Sequence, residues 1–203
     1  MNRVIAYIDG FNLYYGIRSK RWRRYYWLDV QKLARSLLKR DQELVLTKYF
    51  TARVSYPPDK YLRQKTYLEA LETLSGVRVL FGRYQLNPTK CRKCSFEDQI
   101  PSEKMTDVNI AVELLGDAFD DAFDTALLVS ADADLVRAVS AVNSRFPAKR
   151  VIVAFPPART SLHLRRVANG EYAIGRDKLK ESQFPDSIVK ADGFVLRRPP
   201  EWH

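Results

Sequence analysis

The sequence predicts an α/β domain whose helices cover both faces of a central, mainly parallel sheet. Apolar runs alternate along the chain with longer amphipathic stretches, the rhythm of repeated strand–helix units. The apolar runs are rich in Val and Ile, as is typical of strands buried on both faces. At 203 residues the chain can form one such domain with a substantial core.

The first two helices are indicated by amphipathic periodicity and by residues that favour a helix start. Residues 28–40 (LDVQKLARSLLKR) place four apolar side chains on one helical face. Residues 57–74 open with two prolines and Asp59, which are favoured around the first turn of a helix. These helices separate three predicted strands, at residues 3–8, 43–54 and 76–86.

The third strand is followed by a polar segment at residues 87–103, which we interpret as a small insertion. Residues 156–180 predict a helix, a short extended piece and another helical turn, and the tail from Pro185 has weak signals. We therefore assign one domain to residues 1–175 and a C-terminal extension that packs on it to residues 176–203. Between the insertion and residue 156, we expect a helix at 106–119, a strand at 124–130, a helix at 133–146 and a strand at 150–155.

Composition excludes several classes of protein. A hydrophobic fraction of 46% with 12% aromatic residues indicates a folded globular chain rather than a disordered one. No apolar run approaches the ~18 residues of a membrane helix, and we find no signal-peptide pattern. Two cysteines suggest a reducing compartment. We expect a cytoplasmic protein with no membrane partner.

The net charge of +10 is unevenly distributed. Between Glu103 and Asp134 nine acids stand against one base, Lys104, so that segment carries −8 and the remaining 171 residues carry +18. A basic body with one acidic stretch suits a polyanion-binding surface around a cation-binding centre. A solvated acidic helix face would give the same count, so charge alone does not choose between them.

Acidic residues follow two of the predicted strands at the point where each strand ends. The first strand runs into Asp9, with Asn12 three residues later, and the fourth ends at Ser130, before Asp132 and Asp134. In a parallel α/β sheet, ligands collect beyond the carboxyl ends of the strands. We therefore expect these side chains to converge at one edge of the sheet.

Carboxylates held this close repel one another unless a cation lies among them. Asp107, at the start of its helix, can reach the same edge and would be the fourth carboxylate. Oxygen-only ligands favour Mg²⁺ or Mn²⁺ over zinc, and such ions activate water for phosphodiester hydrolysis. Singly, Asp9 could belong to a turn, and Asp107 or Asp132 could cap a helix, but caps have no reason to cluster on one edge.

Other chemistries fit less well. Neither G-x-x-x-x-G-K-[ST] nor G-x-G-x-x-G occurs, so neither familiar nucleotide-binding loop is supported. No G-x-S-x-G surrounds Ser130, which we interpret as a donor that orients a carboxylate rather than as a nucleophile.

Three stretches, YIDGFNLYYG, KMTDVNIAVELLGDAF and ALLVSADADL, resemble the signature blocks of the NYN domain, of the LabA/DUF88 type, within the PIN-like nuclease superfamily. The resemblance extends from about residue 3 to about residue 170, with the blocks in matching order and spacing. It implies a three-layer α/β/α PIN-like fold and a Mg²⁺- or Mn²⁺-dependent cleavage of RNA.

Carried over by position, the family's functional residues fall on this chain as follows. The metal-binding acids match Asp9, Asp107, Asp132 and Asp134, the strand-end amide matches Asn12, the lysine matches Lys104, and the hydroxyl matches Ser130. The third block departs from the usual S-G-D-S-D-F, because it reads SADADL here. Both acids of the block are kept, so the difference in sequence affects how precisely the acids are positioned rather than whether they bind a metal ion.

A basic and aromatic segment follows directly after the Asp9 block. Of residues 18–27, nine are basic or aromatic. Arginines can hold phosphates while aromatic faces stack bases, which suits single-stranded RNA. The alternative is that the aromatic side chains pack inward and the arginines lie in water. The candidate substrate-binding residues are Arg18, Lys20, Arg21, Trp22, Arg23 and Arg24.

Cys91 and Cys94 form a C-x-x-C pair, which offers two ligands of a structural Zn²⁺ site. A tetrahedral site needs four ligands, and two copies of the pair across a homodimer could complete it. Two free thiols on a hairpin are the alternative.

These observations predict a metal-dependent endoribonuclease that acts on single-stranded RNA. A non-catalytic RNA-binding or regulatory module of the same fold is the alternative from another class. A nuclease that acts on DNA is a third.

Overall fold

Six strands form the central sheet in a computed structural model, which describes the backbone of residues 1–90, 94 and 97–203, and the side chains of all of these except 84–90 and 97–103. Every neighbouring pair in this sheet is parallel, which confirms the predicted mainly parallel arrangement. In chain order the strands are β1 (Asn2–Asp9), β2 (Gln42–Thr51), β3 (Val77–Phe81), β4 (Arg83–Lys90), β5 (Glu97–Lys104), β6 (Thr125–Val129), β7 (Arg150–Phe155), β8 (Gly170–Ala173), β9 (Ser187–Val189) and β10 (Val195–Arg197).

Helices cover both faces of the sheet. They are α1 (Gly10–Ser19), α2 (Val30–Ser36), α3 (Pro58–Glu72), α4 (Thr106–Phe119), α5 (Val136–Arg145), α6 (Leu162–Val167) and α7 (Arg176–Glu181). Side chains of β1 alternate between the two layers, as the period of a strand requires. Val4, Ala6 and Ile8 pack with α1, α2, α3 and α7. Ile5 and Tyr7 pack with α4, α5 and α6, which completes the predicted three-layer α/β/α fold.

The order of the strands fixes where a ligand can bind. The sheet runs β3-β2-β1-β6-β7-β8, so the chain builds outward from β1 in one direction and from β6 in the other. The carboxyl ends of β1 and β6 therefore flank the point where the winding of the sheet reverses. In open α/β sheets this is the position of the ligand-binding crevice.

Two local features differ from the sequence-based expectations. The strand expected at residues 76–86 is broken at Gly82 into β3 and β4. Strand β4 then pairs antiparallel with β5 from Arg83↔Lys104 outward, so the hairpin begins before the insertion predicted at residues 87–103. Helix α1 was not predicted, because the Asp9–Gly10 pair is typical of a turn.

The C-terminal extension packs against the aromatic part of the core. The Trp202 ring lies 5.8, 6.2 and 6.1 Å from the ring centroids of Tyr26, Trp27 and Tyr67. The Trp27 Nε1 donates to the Pro185 carbonyl at 2.7 Å, so the buried indole N–H is paired by the same segment. Separately, none of the helices in the described part of the chain combines the length and apolar character of a membrane span.

Candidate active site

The sheet brings Asp9 and Ser130 side by side. Ile8 is the partner of Val129 across the parallel β1–β6 pair, so the residues that follow them meet at the carboxyl edge. The Ser130 hydroxyl donates to Oδ2 of Asp9 at 3.0 Å. Asp9 is only 3% exposed and Ser130 is fully buried. The contact is the one expected of a hydroxyl that orients a carboxylate.

Asp9 also starts helix α1. Its Oδ1 accepts from the Asn12 backbone N–H at 2.9 Å, so the carboxylate is the N-cap of the helix and lies at the positive end of its dipole. Gly10 is required beside it, because a Cβ at this position would lie 2.6 Å from the Tyr49 ring and 2.7 Å from the Phe50 carbonyl oxygen. The Asp9–Gly10 pair is therefore a strand-to-helix junction pressed against β2, and not an isolated turn.

Hydrogen bonds continue from Asp9 into the loop after β6. The Ser130 Oγ accepts from the Asp132 N–H at 3.1 Å, and Oδ1 of Asp132 accepts from the Asp134 N–H at 3.0 Å. The side chain of Asn12 accepts from the Ala131 N–H at 3.2 Å, which joins α1 to the same loop. The structure thus connects five of the predicted catalytic residues through one hydrogen-bonded series.

Asp107 lies in the first turn of helix α4, and Lys104 ends hairpin strand β5 next to Gly82, which follows β3. The Asn109 side chain donates to the Phe81 carbonyl at 3.3 Å, which holds the start of α4 at the carboxyl end of β3. Helix α4 also contacts β1, β2 and the short turn at residues 133–135. Asp107 is half-buried in the first turn of α4, and Lys104 is exposed at the end of β5.

The structure does not gather the acids as tightly as the sequence suggested. In the described part of the chain, no group of three or more Asp, Glu, His or Cys side chains is arranged to hold a metal ion. Asp132 is half-buried and Asp134 is exposed, whereas Asp9 is buried. The geometry therefore groups the carboxylates along one edge without forming a closed cage.

The donor set fits a hard divalent ion. Mg²⁺ commonly keeps several waters and binds proteins through one or two carboxylates together with substrate phosphates, so a closed cage is not required. An oxygen-only set of Asp9, Asp107, Asp132 and Asp134 suits Mg²⁺ or Mn²⁺.

A buried ionic network beneath the site was missed by sequence reasoning. Lys48 in β2 is 2% exposed, and its Nζ lies 2.5 Å from Glu113 and 2.6 Å from Asp117 of α4. The Tyr7 hydroxyl donates to Asp117 at 2.5 Å. Burial, followed by the hydrogen bond to Asp117, raises the pKa of Tyr7, so this phenol stays neutral. A lysine within the apolar stretch LVLTKYF was the available signal.

The basic segment separates into exposed cations and partly or fully buried aromatic rings. Arg18, Lys20, Arg21, Arg23 and Arg24 are all exposed, as a phosphate-binding surface requires. Trp22 is half-buried, packs against the core and has the Arg176 guanidinium 5.7 Å from its ring.

Tyr25 and Trp27 of the same segment are core residues, with 3% and 0% exposure. Their rings therefore do not stack bases. For these two residues the alternative of inward packing holds, because Trp27 packs against Tyr67 of α3 and Trp202, and the Tyr25 hydroxyl accepts from Arg176 of α7.

The predicted zinc pair is only partly described. Cys94 is an exposed free cysteine, and Cys91 lies outside the described residues. The zinc site and the homodimer that would complete it stay predictions.

Replacing Ser130 by alanine tests the hydrogen-bonded series. The variant loses the donor to Asp9 and the acceptor for the Asp132 N–H. We expect the RNA cleavage predicted from the sequence to fall about 10- to 100-fold and the free energy of unfolding to fall by about 1–2 kcal/mol. Single-turnover cleavage and urea unfolding measure the two effects.

The matched control is Ser161→Ala. Ser161 is also buried, and its Oγ accepts a backbone N–H, that of Leu164, at 3.3 Å. Ser161→Ala should lower the free energy of unfolding by a similar amount but keep most of the cleavage rate. Equal loss of cleavage in both variants would show that the Ser130 effect is a general destabilisation.

Comparison with known proteins supports the fold and gives the family. A crystal structure of a protein of unknown function, VPA0982 from Vibrio parahaemolyticus RIMD 2210633, is similar with a TM-score of 0.57 and 22% sequence identity. The similarity covers 87% of this chain and 94% of that one, and at this identity it shows the fold.

A second similar protein is named as a monooxygenase. The 6-hydroxy-3-succinoylpyridine 3-monooxygenase HspA of Pseudomonas putida (strain DSM 28022 / S16) is 30% identical over an alignment that covers 70% of this chain and 56% of that protein. The chain thus spans little more than half the length of this relative.

The family model of the NYN domain matches residues 3–194, which extends beyond the domain boundary expected at residue 175. NYN domains belong to the PIN-like nuclease superfamily, are typically nucleases and generally use divalent metal ions. The match includes every acid of the site and confirms the resemblance found in the sequence. This chain therefore belongs to the NYN domain family.

Proposed function

We propose that this chain is a Mg²⁺- or Mn²⁺-dependent ribonuclease that hydrolyses internal phosphodiester bonds of single-stranded RNA. The observation that carries the proposal is the series from Asp9 through Ser130 to Asp132, placed where the winding of the sheet reverses. The buried Ser130 hydroxyl orients the Asp9 carboxylate and holds the loop that carries Asp132 and Asp134.

Each residue of the edge has a distinct part in this proposal. Asp9, Asp107, Asp132 and Asp134 would hold the ion, which when bound supplies Lewis-acid polarisation of the phosphodiester and a more acidic water. Ser130 and Asn12 hold the carboxylate and the loop in place. Lys104, exposed at the same edge, would offset charge on the scissile phosphate.

Charge distribution supports a polyanionic substrate. Outside the segment from Glu103 to Asp134 the chain carries +18, and the arginines that follow α1 are exposed. Such a surface attracts nucleic acid and gives binding that weakens with salt. The acidic segment would repel the same substrate unless a cation were bound, which couples metal and RNA binding.

A non-catalytic RNA-binding module is the second candidate. It is favoured by one observation, namely that no closed group of three metal-binding side chains exists among the residues the structure describes. In this alternative the acids serve the loop geometry and the basic surface binds RNA without turnover.

Cleavage of a labelled single-stranded RNA by wild-type and Asp132→Asn protein tests the proposal, in Mg²⁺, Mn²⁺ or EDTA. We expect metal-dependent cutting that falls at least about 100-fold in the variant, the scale of losing a group that acts in the transition state. RNA binding should be retained, because the substitution removes a negative charge. A DNA strand of the same sequence shows whether the activity extends to DNA.

The matched control is Asp192→Asn, since Oδ1 of Asp192 accepts from the Phe194 N–H at 2.9 Å in the same i to i+2 arrangement as Asp132. It should cleave at the wild-type rate. Binding without turnover in either metal would establish the non-catalytic module.

The similarity to a protein named as a monooxygenase gives a further test, an assay for oxidation of the compound in that protein's name. Oxidation of 6-hydroxy-3-succinoylpyridine by this chain, supplied with O₂ and an electron donor, would contradict the proposal if no RNA were cut. The residues at the edge favour phosphodiester chemistry, because carboxylates and exposed cations are the groups that such a reaction uses.

A further inference from the structure

Helix α1 displays an aromatic surface immediately beside the site. Tyr14 and Tyr15 are 36% and 41% exposed, and Phe11 is half-buried. The rings of Phe11 and Tyr15, one helical turn apart, are nearly parallel at 23° with centroids 6.4 Å apart. The Tyr14 ring meets Tyr15 edge-on at 5.2 Å. Three neighbouring aromatic side chains are therefore presented on one side of the helix.

Two arginines frame this surface. The guanidinium carbons of Arg18 and Arg159 lie 5.9 and 5.8 Å from the centroid of the Tyr15 ring. Arg18 comes from the last turn of α1 and Arg159 from the loop after β7. Within the described part of the chain, the buried Nε of Arg159 donates to no acceptor. This Nε is itself buried, so a phosphate would contact the other nitrogens of the Arg159 guanidinium.

The surface is held at the same edge as Asp9. The loop after β7 presses against α1 at Gly16, where a Cβ would lie 2.7 Å from the Pro157 carbonyl oxygen. Strand β7 is the neighbour of β6, and Ser130 directly follows β6. Phe11 directly precedes Asn12, whose side chain joins α1 to the loop of the acids.

We propose that Phe11, Tyr14, Tyr15, Arg18 and Arg159, the α1 aromatic surface, bind the nucleotide that adjoins the cleaved bond in single-stranded RNA. The inference rests on the proposed function for the identity of the substrate. The tyrosine rings stack on a base, while the two guanidiniums hold its phosphate. Because every base has an aromatic face, the contact is tolerant of sequence.

This surface would also give the proposed nuclease a preference for single strands. In a duplex the bases are stacked on one another and their faces are closed to protein rings, whereas in a single strand they can be splayed out. Tyr25 and Trp27 of the basic segment are buried, whereas Tyr14 and Tyr15 of α1 are exposed.

Binding of a fluorescent ten-nucleotide RNA tests the inference, measured by anisotropy in an Asp132→Asn background so that cleavage does not interfere. Tyr15→Leu should weaken binding about 5- to 150-fold, the range for losing one base–aromatic stack. Tyr15→Phe should bind within about twofold of the parent, because the ring is kept. Arg159→Ala should weaken binding and lower its salt dependence, as expected for a phosphate contact.

Tyr61→Leu is the matched control, since Tyr61 on α3 has the same 41% exposure as Tyr15. It should bind like the parent. Two further ligands complete the test, a duplex of the same sequence and an abasic strand with the same phosphates. Both should bind more weakly than the single strand and respond little to Tyr15→Leu.

Each outcome separates this inference from the proposed function. Equal affinity for the abasic and the normal strand, or equal loss in Tyr15→Leu and Tyr61→Leu, would overturn base stacking at α1. If the wild type cuts RNA but Tyr15→Leu leaves KM and affinity unchanged, the inference fails and the nuclease stands. If the wild type cuts nothing and Tyr15→Leu selectively loses single-strand binding, the nuclease and the placement beside a cleaved bond both fail, whereas base stacking at α1 stands.

Discussion

Replacing Asp9 by asparagine is expected to reduce RNA cleavage by about 1,000-fold while leaving the fold intact. Asparagine is as good an N-cap as aspartate, so its side-chain oxygen can still accept from the Asn12 N–H and start α1. What it removes is the negative charge and the second acceptor, to which Ser130 donates at 3.0 Å. The variant therefore keeps the helix cap while it removes the charge and the acceptor for Ser130.

Asp29→Asn is the control that the chain offers for this prediction. Asp29 caps α2 with φ −74° and ψ 101°, nearly the values of Asp9, which are −71° and 102°. Its Oδ1 accepts from the Lys32 N–H at 2.8 Å. Both variants should lose less than about 1 kcal/mol of unfolding free energy, since the caps are preserved. Only Asp9→Asn should lose cleavage.

Metal binding gives a readout of Asp9 that is independent of turnover. An ion that binds the folded state raises the unfolding temperature by mass action. Mn²⁺ should therefore raise the Tm of the wild type and of Asp29→Asn, and raise that of Asp9→Asn less. A variant that keeps both the Mn²⁺ shift and the cleavage rate would show that the Asp9 charge is not part of a metal site.

The site acids were predictable from sequence because their position depends on a rule about sheets. Asp9 and Asp132 each follow an apolar run, and parallel strands deliver their carboxyl ends to one edge. Their hydrogen bonds were not predictable in detail. The bond from Ser130 to Asp9 joins residues 121 positions apart, and it depends on β1 and β6 being neighbours in the sheet.

The features that sequence reasoning missed depend on distant partners. Helix α1 was missed because Gly10 has a turn-like signal locally, whereas its need for a small residue comes from Tyr49 and Phe50. The burial of Trp27 depends on Pro185 and Trp202, in a tail with weak local signals. An aromatic ring in a basic segment faces the core or the solvent according to such contacts, which no local pattern encodes.

The buried lysine gives the largest stability effect that we expect. Lys48→Met should lower the free energy of unfolding by about 3 kcal/mol, the lower end of the range for breaking a buried ion pair. Methionine has a similar volume, so little of the loss comes from a cavity. It arises because Glu113 and Asp117, 29% and 16% exposed, keep their charges without the cation between them. Urea unfolding measures the change.

Two comparisons identify the cause of that loss. Lys65→Met removes a lysine whose Nζ lies 3.9 Å from Glu69 on the exposed side of α3, and a surface pair of this kind is worth at most about 1 kcal/mol. Adding Glu113→Gln and Asp117→Asn to Lys48→Met should recover part of the stability, because the unpaired charges are removed. If the triple variant is no more stable than Lys48→Met, packing rather than charge accounts for the effect.

The same network links stability to the proposed site. Lys48 and Tyr7 tie β2 and β1 to α4, the helix that carries Asp107, while Asp9 lies two residues after Tyr7 on the same strand. Loosening this contact should move Asp107 relative to Asp9. We therefore expect Lys48→Met, assayed well below its Tm, to cleave RNA more slowly at saturating substrate while its affinity for RNA stays unchanged. A wild-type rate in that assay would show that the network stabilises the fold without positioning Asp107.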